Sequence, residues 1–287
     1  MKHCYVPHRF SQPVREMIDA SNTVITEWQR QGYRLTLRQL YYRLVSKNII
    51  ANTVKEYKHL GNIIVQARRA GEVDWDALED RTRNLMALRN WEDPKSAMKW
   101  LSEQYHTDMW ANQPCRVEVW FEKDALAGIF ERACTALDVP FFSCRGYNSE
   151  SEMWRGAMRL AAYENQAPVI LHFGDHDPSG IDMTRDIADR MKVFGVALEI
   201  DRMALNIDQV KKHCLPPNPA RETDSRFQGY IKKFGKKSWE LDALEPSVLA
   251  NYITNAVTGY RSEKKWKIAV ARERREKRLI KKMAEKI

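Results

Sequence analysis

The run PVILHFGD at 168–175 does most to limit what this chain can fold into. A nearly unbroken apolar stretch of strand length, closed by an acid and flanked by helical patterns, has to be buried on both faces. Other segments share its character: CRVEVWFE at 115–122 and VPFFSC at 139–144 read as the first and second strands, and VALEI at 196–200 as a fourth. Between them lie helical patterns from Asp124, as a cap, to about Leu137, over 150–164, and after Ser179. Strands alternating with helices in this way predict an α/β fold on a parallel sheet covered on both faces.

The chain ahead of this sheet reads differently. Pro13 opens a helical pattern in which Val14, Met17, Ile18, Ile25 and Trp28 recur at helical spacing, and Gly32 closes it. Thr36 with Gln39 is a capping-box signature for a second helix ending near Lys47, with Leu37, Leu40, Tyr41 and Leu44 on its apolar stripe. Thr53 with Glu56 repeats the signature for a third helix running to Gly71. Two capped helices joined by a short turn, both carrying basic residues, read as a helix-turn-helix. Helical pattern continues over 72–112, and the proline-rich segment LPPNPARETDSR at 215–226 reads as a loop. The divisions expected are a helical module at 1–112, the sheet module at 113–245 and a basic helical segment at 246–287, with separate cores for the first two.

Charge points to a polyanionic partner. The net charge of +9 over 287 residues is concentrated, because residues 261–287 hold twelve Lys/Arg against four acids. Residues 28–70 carry nine basic residues and the single acid Glu56. Within that block Arg43, Lys47, Lys55, Lys58, Arg68 and Arg69 are the candidates for contact with double-stranded DNA. The tail reads in two ways, as a strip along the DNA backbone or as a helix docked through Trp266, Ile268, Leu279, Ile280 and Met283 with its charges solvated. No stretch approaches the roughly 18 apolar residues of a membrane span, and the MKHCYVPHRF start lacks a secretory apolar core, so a cytoplasmic protein with no membrane contact is expected. The five scattered cysteines, never spaced CxxC, predict reduced thiols, mostly buried.

In an open parallel sheet, functional groups collect at the carboxyl ends of the strands. Glu122 ends the first strand there, and Asp175 with Asp177 ends the third. Three carboxylates in one crevice repel one another unless a cation neutralises them, and oxygen-only ligands near phosphate favour Mg²⁺. On that reasoning, removing Asp175 or Asp177 should preserve or raise stability. The glycine of DHDPSG permits a sharp turn into the following helix, whose amides could face a phosphate. An EF-hand reading of Asp175, Asp177, Ser179, Gly180 and Asp186 fails, because the loop is entered from a strand and Pro178 is a poor match.

The strings EKDAL (122–126) and GDHDPSG (174–180), with CRGYNS (144–149) between them, resemble those of the topoisomerase VI A subunit and its meiotic double-strand-break relative. A glutamate after one strand and DxD after a later one is the Toprim signature. TLRQLYYRL at 36–44 completes the likeness, which spans about residues 30–195. Arg38 and Tyr42 lie four residues apart and share a helix face, whereas Tyr41 falls on the apolar stripe. The resemblance implies an N-terminal winged-helix-like module joined to a Toprim module. It implies Tyr42 as nucleophile, Arg38 as its neighbouring arginine, and Glu122, Asp175 and Asp177 as Mg²⁺ ligands. A homodimer follows, since one tyrosine cleaves one strand. The family usually carries an acid after the arginine, where this chain has Gln39. No ATPase signature is present, so topological change would call for a separate ATPase partner subunit. Two alternatives stay open: a hydrolytic Toprim nuclease in which Tyr42 only packs, and a non-catalytic DNA-binding protein that retains the fold.

Overall fold

The computed structural model describes residues 1–78, 90–163 and 165–286. It begins with three helices: α1 (Gln12–Arg30), α2 (Leu37–Ser46) and α3 (Val54–Arg69). Their ends follow the expected caps. Thr36 accepts from the Gln39 amide, and the Gln39 side chain accepts the Thr36 amide at 2.7 Å, which closes the box. At α3 the Thr53 hydroxyl accepts from the Glu56 amide at 3.2 Å, one arm of the second box. Helix α4 (Pro94–Gln104) follows, and residues 79–89, part of the expected helical continuation, lie outside the described residues. Among the described residues ahead of the sheet, β pairing is confined to single bridges at Cys4–Ala70 and Leu35–Leu78.

The sheet is built from β1 (Cys115–Phe121), β2 (Phe141–Ser143), β3 (Ala167–Phe173) and β4 (Glu199–Ala204), all parallel, in the order β2-β1-β3-β4. Helices α5 (Ala127–Ala136), α6 (Glu150–Ala161) and α7 (Pro178–Val193) make the crossovers. The chain is therefore a mixed α/β fold, and both faces of its sheet are covered. On one face Val117, Val119, Phe121, Val169, Leu171 and Phe173 pack with Ile129 and Phe130 of α5. On the other, Trp120 and Ile170 pack with Met153 and Leu160 of α6 and Ile187 of α7. Pairing of Val119 with Leu171 and of Phe121 with Phe173 keeps like faces in register.

Two local expectations shift. The fourth strand runs 199–204 rather than 196–200, because Val196 is spent closing α7, its amide donating to the Met191 carbonyl at 3.1 Å after Gly195 at φ 76°. As the edge strand, β4 tolerates the polar sequence EIDRMA. Asp124 does not cap α5. A 3₁₀ turn over Asp124–Leu126 intervenes, and the Asp124 carboxylate pairs with Arg145 at 3.2 Å.

Beyond β4 come α8 (Ile207–Lys212), a small β5 (Asn218–Pro219) and β6 (Lys237–Ser238) ribbon around α9 (Phe227–Phe234), then α10 (Pro246–Gly259) and α11 (Glu263–Ala284). Helix α10 is apolar, and Leu249, Ile253 and Val257 join the cluster on the α5 face. That same cluster contains Leu40, Leu44, Leu60 and Ile64 of α2 and α3, so the helical module and the sheet share one continuous core rather than two. All five cysteines are free, with Cys115, Cys134 and Cys144 buried. No helix among the described residues is long and apolar enough to cross a membrane.

The basic tail is a helix docked on α4. Glu273, buried on its inner side, accepts the Thr107 amide at 3.0 Å and meets His106 at 2.8 Å, while Tyr105 donates to Glu276 at 2.8 Å. Trp266 packs edge-on to Trp110 at 6.4 Å. Ile268, Leu279 and Met283 are exposed, so docking uses only part of the apolar set expected for it. Deletion of 263–287 should lower the melting temperature by about 5 °C or more, since losing 2–3 kcal/mol shifts a chain of this size by that amount. Calorimetry checks this, and an unchanged midpoint would show that α11 contributes nothing to the fold.

Candidate active site

Adjacency of the parallel β1 and β3 fixes the floor of the site. The Glu122 amide donates to the Phe173 carbonyl at 2.9 Å, and the Asp175 amide donates to Glu122 Oε2 at 2.9 Å. The turn that follows is held from several sides. Asp177 caps α7, accepting from the Gly180 amide at 2.6 Å and the Ser179 hydroxyl at 3.1 Å. A Cβ on Gly180 would collide with the Asp175 carbonyl oxygen, which explains the glycine of DHDPSG. Arg202 of β4 donates to the carbonyls of Asp175 at 2.6 Å, Gly180 at 2.7 Å and Gly174 at 3.1 Å. Burial lowers its pKa to about 10, so it remains a cation at neutral pH. His172 beneath the turn is neutral, pushed down to about 3 by burial and by Arg202, with Nδ1 at 2.8 Å from the Thr184 hydroxyl.

The same turn recruits a distant segment. His176 and Trp239 exchange both backbone hydrogen bonds, at 2.8 and 2.9 Å, and His176 Nδ1 meets the Tyr230 hydroxyl at 2.8 Å. This pairing delivers Glu240, Leu241 and Asp242 to the sheet end, where the Leu241 amide donates to Asp175 Oδ1 at 2.7 Å. Lys123 then sits among three carboxylates: Asp175 at 3.1 Å, Asp242 at 3.0 Å, and Glu240. Burial alone would lower the lysine pKa, but the three carboxylates outweigh it and hold the ammonium firmly charged.

Helix α2 closes the site from above. Arg38 donates to Glu240 at 3.2 Å and Asp242 at 3.4 Å, and its Nη2 also donates to the Tyr42 hydroxyl at 3.3 Å. Arg38 and Lys123 lie 5.1 and 5.6 Å from the Tyr42 ring centre. The phenol is half-buried, and its pKa is raised, first by burial and then by the Glu240 charge, with Arg38 opposing in part. Glu240 is lowered: burial would raise it, but Lys123, Arg38 and the Tyr42 hydrogen bond prevail. Arg38 and Tyr42 thus share a face, as the spacing predicts. Tyr41 is core, its hydroxyl donating to Asn52 Oδ1 at 3.0 Å and the Thr53 carbonyl at 3.1 Å. Gln39 is buried in the α2 cap.

The expected DNA contacts divide. Lys55, Lys58 and Arg69 are exposed. Lys47 pairs with Glu27 at 2.8 Å, and Arg68 stacks over Trp75 at 4.8 Å while donating to the Leu78 carbonyl at 3.3 Å. Arg43 is buried and paired with the partly exposed Glu245 at the start of α10.

Glu122, Asp175 and Asp177 all lie at the carboxyl end of the sheet, where Glu240 and Asp242 join Asp175 around Lys123, with Arg38 and Arg202 as the further cations. Burial raises both Glu122 and Asp175, with Asp177 adding to the shift at Glu122 and Lys123 opposing it at Asp175. An oxygen-only set carrying excess negative charge is chemically suited to a hard divalent cation. No group of three His, Cys, Asp or Glu among the described residues converges as ready-made ligands, because Asp175 is turned to Leu241 and Lys123, and Asp177 to Gly180. The same bonds set a structural contribution against the expectation that losing Asp175 or Asp177 would spare stability. Asp177 is a helix cap, typically worth about 1 kcal/mol, and Asp175 anchors Leu241. No protein-family model matches the chain, and no curated protein matches it in sequence.

Lys123, Arg202, Glu240 and Asp242 were not singled out by the sequence. Lys123 lies inside EKDAL, beside Glu122, which drew the attention as an expected ligand. Glu240 and Asp242 reach the site from 117 and 204 residues away from their partners Lys123 and Arg38, with no local pattern to mark them.

Glu122 supplies the pH test. Its raised pKa means that the folded state holds the proton more tightly than the unfolded chain, so stability falls as pH rises from the unfolded to the folded value. Glu122→Gln keeps an acceptor for the Asp175 amide without the charge. In Mg²⁺-free buffer it should melt above the parent near neutral pH, with the gain vanishing below about pH 4, where the carboxyl is protonated in both states. A variant melting below the parent at neutral pH would refute a destabilising charge at Glu122.

Proposed function

We propose that this protein cleaves and rejoins double-stranded DNA by transesterification through Tyr42, in a winged-helix-like module joined to a Toprim-type sheet, working as a homodimer. The observation that carries the reading is the meeting of Tyr42 and Arg38 with Lys123, Glu240 and Asp242 beside Asp175. A phenol, two cations and a carboxylate cluster at the carboxyl end of a parallel sheet make a phosphoryl-transfer site. Net change in DNA topology would need a separate ATPase partner subunit.

The residues divide the work as follows. An arriving phosphodiester displaces Glu240 and Asp242 from Arg38 and Lys123, and the two cations take its non-bridging oxygens. Glu240, relieved of its cationic partners, becomes a stronger base and accepts the phenol proton. Tyr42 Oη then bonds to phosphorus, the bond from phosphorus to one deoxyribose oxygen breaks, and that oxygen takes a proton from solvent. The phosphotyrosyl bond preserves the energy needed for rejoining by the reverse steps. Glu122, Asp175 and Asp177 would hold Mg²⁺, which when bound supplies Lewis-acid stabilisation of the phosphate charge.

The raised pKa of Tyr42 favours a second reading, hydrolytic cleavage with the phenol protonated throughout. Denaturing gels of protein and plasmid, with and without Mg²⁺, separate the two. The expected result is a covalent Mg²⁺-dependent adduct that Tyr42→Phe abolishes, with cleavage reduced at least about 10³-fold. Tyr41→Phe should retain the adduct and lose about 1–2 kcal/mol of stability with its hydroxyl bonds. Cleavage without an adduct and indifferent to Tyr42→Phe would establish hydrolysis, and binding without cleavage would leave only a DNA-binding protein.

A further inference from the structure

We propose that the cavity between α2 and the start of α3 receives one unpaired nucleobase of the strand being cut, an inference that rests on the strand-cleavage reading. The cavity holds about 230 Å³ and is walled by Tyr41, Tyr42 and Tyr57, by Arg38, and by the turn Asn52–Val54. Pockets for whole small-molecule ligands begin near ~300 Å³, so this one suits a single ring system. The Tyr41 ring meets those of Tyr42 and Tyr57 edge-on at 5.2 and 5.3 Å, which gives the cavity aromatic walls.

Tyr42 belongs to both places. Its ring lines the cavity, while its hydroxyl accepts from Arg38 in the charged cluster. A phosphate held at that hydroxyl therefore leaves its own base beside the cavity. Arg38 at the wall and the exposed Lys55 and Lys58 on α3 suit a ligand that brings phosphates with it, which an apolar side chain from a partner protein would not.

The cavity reads ring faces rather than base edges. The Tyr41 hydroxyl is committed to Asn52 and Thr53, the Thr53 hydroxyl to the α3 cap, and the Asn52 amide to Asn218. With those groups engaged, any base can stack, and the preference is for an unpaired base over a paired one. A base in a duplex is hidden in the stack and enters only if extruded, so a substrate that already carries an unpaired base avoids that cost.

The test uses the full-length protein, Mg²⁺-free buffer, and three duplexes: fully paired, with one bulged nucleotide, and with the same bulge made abasic. The expected result is about tenfold tighter binding of the bulged duplex than of either other, in keeping with one base stacked on an aromatic side chain. Val54→Trp, made at an exposed position (72% relative exposure) that the fold does not need, fills the mouth and should erase the preference. Equal affinity for bulged and paired duplexes, a preference that survives the abasic change, or one that survives Val54→Trp overturns the proposal. Binding without discrimination overturns the cavity assignment alone, whereas failure to bind any of the duplexes overturns the strand-cleavage reading with it.

Discussion

A single ammonium group holds together three stretches of chain that meet at the end of the sheet. Lys123 follows β1, Asp175 follows β3, and Glu240 with Asp242 follows β6, and the lysine bonds to all three acids. Asp242 is fully buried, so its charge has no water to fall back on. A buried charge that loses its partner typically costs about 3–5 kcal/mol, which makes this cluster an all-or-none assembly rather than a set of separable pairs. Arg38 joins through the same two acids, so the position of α2 over the sheet depends on the same group.

That dependence explains what could be read in the sequence and what could not. The sheet was legible because burial on both faces leaves an apolar run, as in PVILHF, and because Glu122 follows β1 directly, where a parallel sheet exposes its loops. The α2 box was legible because Thr36 and Gln39 act on each other across three residues. Glu240 and Asp242 were not, because an acid in a loop carries no period and its partners lie across the fold. Arg43 shows the opposite case: its basic neighbours suggested a DNA contact, and nothing local marked the ion pair that it makes with Glu245. The edge strand β4 slipped because polar residues suffice where only one neighbour pairs, as in EIDRMA.

The rigid and the exchangeable parts of the site are also distinct. The DHDPSG turn is fixed by backbone bonds, by the Arg202 fork and by the room that only Gly180 leaves, and none of these can be surrendered without unfolding the turn. Glu240, by contrast, is held by side chains, those of Arg38, Lys123 and Asn218, and remains partly exposed. A carboxylate bound this way can be exchanged for another oxyanion of similar charge while the scaffold beneath it keeps its shape.

This asymmetry bears on how a raised phenol pKa can coexist with the proposed nucleophilic role. Glu240 both accepts from Tyr42 and repels a phenolate, so the tyrosine rests protonated. The two cations that would favour a phenolate are occupied by acids. When a phosphate takes those cations, the phenol loses none of its proximity to Glu240, while the carboxylate loses the charges that kept its proton affinity low. In the proposed mechanism the acid that restrains Tyr42 at rest is therefore also the group best placed to deprotonate it. The same contacts hold the site closed without substrate and prepare it for the proposed chemistry with substrate.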